Sequence, residues 1–195
     1  LDLHEIVQPW LIVIQYYRLT INRERGISIF DKEFDSMFSA IITCLRVANW
    51  LNWIAATLLT VFFAVLLSDA GGLRADVFAG FDSSAHETVR DYLYGILALV
   101  LPIAVAVHML LVRLAALVRD AAEGIAFSEI NAARLRVMGW SLLAINIADL
   151  FYGWMSVRAS EGSGEYFGWS FTLTGWIAVP LLFVLAHVFR EGAQM

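Results

Sequence analysis

The sequence predicts an all-α integral membrane protein, a four-helix bundle with a cytoplasmic helical hairpin between its second and third spans. Three observations predict it. Hydrophobic residues make up 60% of the 195 positions and charged residues only 16%, whereas a soluble domain has about 45–50% and about 25%. There are four apolar runs, each near the ~20 residues a helix needs to cross ~30 Å of hydrocarbon. The cations are also unevenly divided between the connections, which sets the orientation. The single cysteine, Cys44, excludes an internal disulfide and a Cys-pair metal site. A net charge of -5 argues against direct binding of nucleic acid.

The first run extends over about residues 40–67, and its densest part, Trp53 to Leu67, carries no charge. Arg46, Asn49 and Asn52 share one helical face there, near Trp50 and Trp53. That face is expected at the membrane interface or inside the bundle. The second run, 92–112, contains Pro102, which removes a backbone donor and is expected to bend the helix. The third covers 137–157. The fourth covers 167–189, includes Pro180 and ends at Arg190 and Glu191.

Cations beside short loops are retained in the cytoplasm. Arg18, Arg23, Arg25, Lys32 and Arg46 come before the core of the first span, Arg113, Arg119, Arg134 and Arg136 lie between the second and third, and Arg190 follows the fourth. Only Arg74, Arg90 and Arg158 fall on the other side, so ten cations against three predict cytoplasmic termini. The outer loop, Ser68 to Asp91, carries Asp69, Asp76, Asp82, Glu87 and Asp91. It is expected to be solvated, with one interfacial turn around Val77, Phe78 and Phe81.

Residues 1–36 read as a cytoplasmic or interfacial extension, not necessarily native to the four-span domain at 37–195. The apolar run Ile6 to Tyr17 is too short to cross a bilayer and contains Pro9, so an interfacial segment and a strand are both open. The chain begins at Leu1 and not Met, as a fragment or processed product would, and Met37 is a natural start for the core.

The segment from Arg113 to Trp140 is the most informative. A helix continuing from Tyr92 to Ala122 would be about 46 Å long and project beyond a ~30 Å core. Gly124 is placed to end it, since glycine accepts the left-handed conformation. Ser128 can cap the next helix, with Glu129 in its first turn. Phe127 is expected to tuck back against the resulting hairpin. Arg119, Asp120, Glu123, Gly124, Phe127, Asn131, Arg134 and Arg136 are its candidate contacts with a protein partner or with lipid. The two arginines entering the third span can attract anionic headgroups, or can serve topology alone.

A helix ending in Gly124, then Phe127, Asn131, Ala132, Arg134, Leu135, Arg136, Gly139 and Trp140 leading into a span, resembles the bacterial membrane family called domain of unknown function 2975. The final stretch, with Leu185, Ala186, Phe189, Arg190 and Gly192, is similar to that family as well. The resemblance covers about residues 37–195. Ala126 stands where family members commonly have proline, and members often continue past the point where this chain stops. The resemblance implies a four-span protein of the bacterial inner membrane with no established activity, often encoded beside a small helix-turn-helix regulator.

Polar groups inside spans are costly in lipid and so are candidate sites. His108 and His187 both fall near cytoplasmic span ends, where two opposed imidazoles could ligate a haem iron. Nothing else marks a haem pocket, so no cofactor is expected. Asn146 and Asp149 project from one face of the third span. They could form a proton or cation site in an oligomeric transporter or channel. An interhelical hydrogen bond worth about 1 kcal/mol is favoured, because only one intramembrane acid is present. Trp140, Tyr152, Trp154, Tyr166, Trp169 and Trp176 mostly flank span ends, as interfacial anchors do. No nucleophile motif, phosphate loop or zinc motif is present. The first expectation is therefore a non-enzymatic membrane protein whose hairpin contacts a protein, with the lipid bilayer as its constant partner and a homo-oligomer open. The transporter and the bis-His haem protein are the alternatives.

Overall fold

The computed structural model describes residues 3–68, 70–79 and 85–194, with side chains described from residue 36 on, except at 70, 74, 76 and 78. All elements among the described residues are helical. They are α1 (Leu3–Ser68), a short 3-10 turn (Ala70–Gly72), α2 (Leu73–Phe78), α3 (His86–Ala122), α4 (Glu129–Ser163) and α5 (Leu173–Gly192). Four stretches are long and apolar enough to cross a membrane: Ser36–Ser68, His86–Ala122, Glu129–Ser163 and Leu173–Gly192. The chain divides into two compact units, Leu1–Ile41 and Ile42–Met195.

In the first unit the backbone is helical from Leu3, so the Ile6 to Tyr17 run is helix and not strand. The side chains of Arg18, Arg23, Arg25 and Lys32 lie outside the described residues, as do those of Asp69, Asp76, Phe78, Phe81 and Asp82. Of the expected interfacial turn, Val77 lies in the short helix α2.

In the second unit α3 packs along α4, and α4 along α5. The α3–α4 pair is antiparallel: Asp120 meets Arg134 at one end, and Thr88 meets Gly162 at the other. At 37 residues, α3 is about 55 Å long. It ends as expected at Gly124, whose φ is 76°. The Ile125 amide donates to the Asp120 carbonyl at 2.8 Å, and the Gly124 amide donates to that of Ala121 at 3.1 Å. These two bonds form a Schellman closure, which satisfies carbonyls that the helix end would otherwise leave open. Ser128, in extended conformation, caps α4 by accepting from the Asn131 amide at 3.2 Å.

The fourth span differs from expectation. Helix α5 starts at Leu173, not 167, and its 20 residues cover about 30 Å. Its register on α4 is set by Ala186 beside Leu135, and by Gly175 against Asn146. From Asn146 to Ser163, α4 therefore runs on about 25 Å without α5. The connecting residues fill that length. Gly164, with φ 74°, turns the chain back, and the stretch to Thr172 at ~3.3 Å per residue covers about 26 Å. Phe167 and Trp169 turn inward while Gly168 and Ser170 stay exposed. This period of two belongs to an extended strap, although its apolarity suits a span.

The strap is fastened to small residues of α4. Ser160 Oγ accepts from the Phe167 amide at 2.9 Å, the buried Ser156 hydroxyl donates to the Phe167 carbonyl, and the Trp169 indole lies on Gly153. On its other side the Phe167 ring meets Tyr92 of α3 edge-on at 4.8 Å. An irregular backbone survives at such a place only when protein groups take its donors and acceptors.

Candidate functional site

Two places collect the polar residues singled out in the sequence. The first is the α3–α4 turn. Asn131 is fully buried; its Nδ2 donates to the Ile125 and Ala126 carbonyls at 3.1 and 3.0 Å, and its Oδ1 accepts from Arg134 at 2.6 Å. The same Arg134 Nη1 lies 2.5 Å from Asp120 Oδ2. Asp120, Asn131 and Arg134 thus brace the turn from inside. Phe127, expected to tuck back against the hairpin, lies instead over Phe189 at 5.0 Å between ring centres and abuts Gly192, so the turn leans on the end of α5. Arg119, Glu123, Gly124, Phe127 and Arg136 are exposed, as are Ile125, Glu129 and Ile130.

The second place is a cavity of about 340 Å³ between α1, α3 and α4. Asp149 and Asn52 line it together with Ala55, Val100, Ile103 and Ile145, among other apolar residues. These positions fall near the middle of the spans 40–67, 92–112 and 137–157. Asn52 Nδ2 donates to the Ala104 carbonyl at 2.9 Å, which fixes the amide and leaves its oxygen as an acceptor. Asp149 has no hydrogen bond or ion pair with any described residue. A carboxylate near a bilayer centre costs about 2.5–3.5 kcal/mol on insertion scales, so an unpaired one there calls for a reason.

Asn146 and Asp149 do not form one site. Asn146 packs against Gly175 of α5, with its Nδ2 buried and without a partner among the described residues, while Asp149 faces the cavity. The two histidines are also apart. His108 Nδ1 lies 2.8 Å from Asn49 Oδ1 and 3.2 Å from Trp53 Nε1, both on α1. The indole N–H asks Nδ1 to accept and the Asn49 side-chain oxygen asks it to donate, so the ring tautomer selects between these two α1 partners. His187 is exposed beside Glu191 at 4.0 Å. Its neighbour Ala186 is level with Leu114 and Leu117, which places it about 9–14 Å along α3 from His108. The pair does not face one iron. Among the described residues no three His, Cys, Asp or Glu side chains are grouped to hold a metal.

Sequence reading missed Ser156, Ser160 and Gly153, which hold the strap; their small size at helical spacing was the available signal. It also read Tyr152 and Trp169 as interfacial anchors. The Tyr92 hydroxyl donates to that of Tyr152 at 3.2 Å, and Trp169 is packed on α4, whereas Trp140, Trp154 and Tyr166 are exposed as anchors should be.

A family model described as a protein of unknown function (DUF2975) matches residues 77–195, a segment holding α3, the hairpin, α4 and α5. The chain belongs to this family. The resemblance read from the hairpin and the closing stretch is thereby borne out, although the match starts at residue 77 and leaves the candidate span Ser36–Ser68 before it. Neither curated proteins nor solved structures give a match to this DUF2975 chain.

Proposed function

We propose that this DUF2975 protein is a non-enzymatic protein of the bacterial inner membrane whose α3–α4 turn faces the cytoplasm and docks a soluble protein. The excess of cations on that side, ten against three, supports the orientation. The observation that carries the docking role is the division of labour in the turn. Asp120, Asn131 and Arg134 are taken up in holding it, so Ile125 and Ile130 stand exposed on a fixed backbone with Glu123 and Glu129 beside them. A preformed apolar knuckle with a charged rim loses little entropy on binding. A small helix-turn-helix regulator is the partner to look for first, from the family resemblance.

The test is co-purification after mild detergent extraction, comparing the natural chain with an Ile125→Asp, Ile130→Asp variant. One soluble protein enriched with the first and lost with the second is expected. No enrichment, or equal enrichment with both, overturns the reading. Charge reversal at Arg134 is a poor probe, because it would undo the turn itself.

A further inference from the structure

We infer that the cavity around Asp149 is a binding site for an organic monocation with an apolar body. Three features of the walls select that class. Asp149 and Asn52 contribute acceptor oxygen, and no described cation pairs with Asp149. The remaining wall is almost wholly apolar, from Ala55 and Leu59 on α1 through Leu99 and Ile103 on α3 to Ile145 on α4. A volume of about 340 Å³ lies within the range of small-molecule sites, about 300–1,000 Å³.

Other cations fit poorly. Calcium requires six to eight oxygen ligands and magnesium keeps an octahedral water shell, whereas among the described residues of the wall only Asn52, Asp149 and Tyr152 have side chains that carry oxygen. An anion would meet Asp149 directly. A neutral lipid chain would fill the apolar part and leave the carboxylate unpaired in a medium of low dielectric, where a counter-charge is worth most. A cation with hydrocarbon around its charge satisfies both parts of the wall. Its path in is short, because Ala55 and Leu59 at the α1 edge are exposed on the surface that faces lipid. This site stands independently of the role of the hairpin.

The test uses the full chain in nanodiscs of neutral phosphatidylcholine, with tetraphenylphosphonium as the probe and empty nanodiscs subtracted. One saturable site is expected. Asp149→Asn should weaken it by at least about tenfold, the equivalent of 1.4 kcal/mol. Asp149→Glu should retain it, and Ala55→Phe, at the exposed rim, should block it without disturbing the folded helices. Tetraphenylborate, of the same shape and opposite charge, should not compete. Equal binding by the natural chain and Asp149→Asn, or competition by tetraphenylborate, would show an apolar cleft that takes lipid chains and overturn the assignment. Absence of a saturable component would overturn it as well.

Discussion

Replacing Asn131 by Ala removes three hydrogen bonds from a fully buried side chain, two to the Ile125 and Ala126 carbonyls and one from Arg134. The first two are neutral and worth about 1 kcal/mol each, and the charge-assisted one about 1.5–3 kcal/mol. Their sum is about 4 kcal/mol. Arg134 keeps Asp120 and water reaches the exposed side of the turn, so the expected loss is about 2–4 kcal/mol. Asn131→Asp separates the contributions. It preserves an acceptor for Arg134 but points oxygen at two carbonyls, and should lose about 2 kcal/mol or more. Reversible unfolding in mixed micelles gives the energies, and hydrogen exchange at the Ile125 amide reports the turn. A loss below about 1 kcal/mol for Asn131→Ala, with exchange at Ile125 unchanged, would refute an internally braced hairpin.

Further outcomes follow from the strap and from α1. A methyl added at Gly153 collides with the rigid Trp169 ring, whereas one at Gly95 meets the flexible end of Met155. Gly153→Ala should therefore cost about 1–3 kcal/mol and Gly95→Ala well under that, and equal costs in the same unfolding assay would contradict the packing of the strap. Ser160→Ala should speed hydrogen exchange at the Phe167 amide, whose acceptor it removes, more than Ser156→Ala does, since Ser156 serves the carbonyl. Trp53→Phe, which removes the indole nitrogen 3.2 Å from His108 Nδ1, should shift that nitrogen's NMR signal. An unchanged signal would refute the contact between Trp53 and the ring.

The amino-acid order alone determined whatever depends on neighbours along the chain. Four apolar stretches, a glycine at 124 and a serine at 128 specify four span-length helices and a tight turn, because hydrophobic run length and helix closure are both local properties of the chain. Family membership was legible in the same local pattern around Gly124 to Trp140. Residues 167–172 were misjudged as helix because apolarity measures suitability for lipid, and an extended strap backed by Ser156 and Ser160 is equally apolar.

Only the tertiary arrangement decided where each polar side chain points. Asn146 and Asp149 are three apart and so differ by about 60° around α4, close enough to count as one face in a sequence. Neighbouring helices divide space on that same angular scale: α5 closes over Asn146, and the gap toward α1 and α3 is left to Asp149. Arg134 likewise reads as a surface cation, yet it folds back on Asp120 and Asn131. A carboxylate 14 positions earlier in the chain becomes its neighbour only when the hairpin closes, and periodicity along one helix holds no information about that encounter.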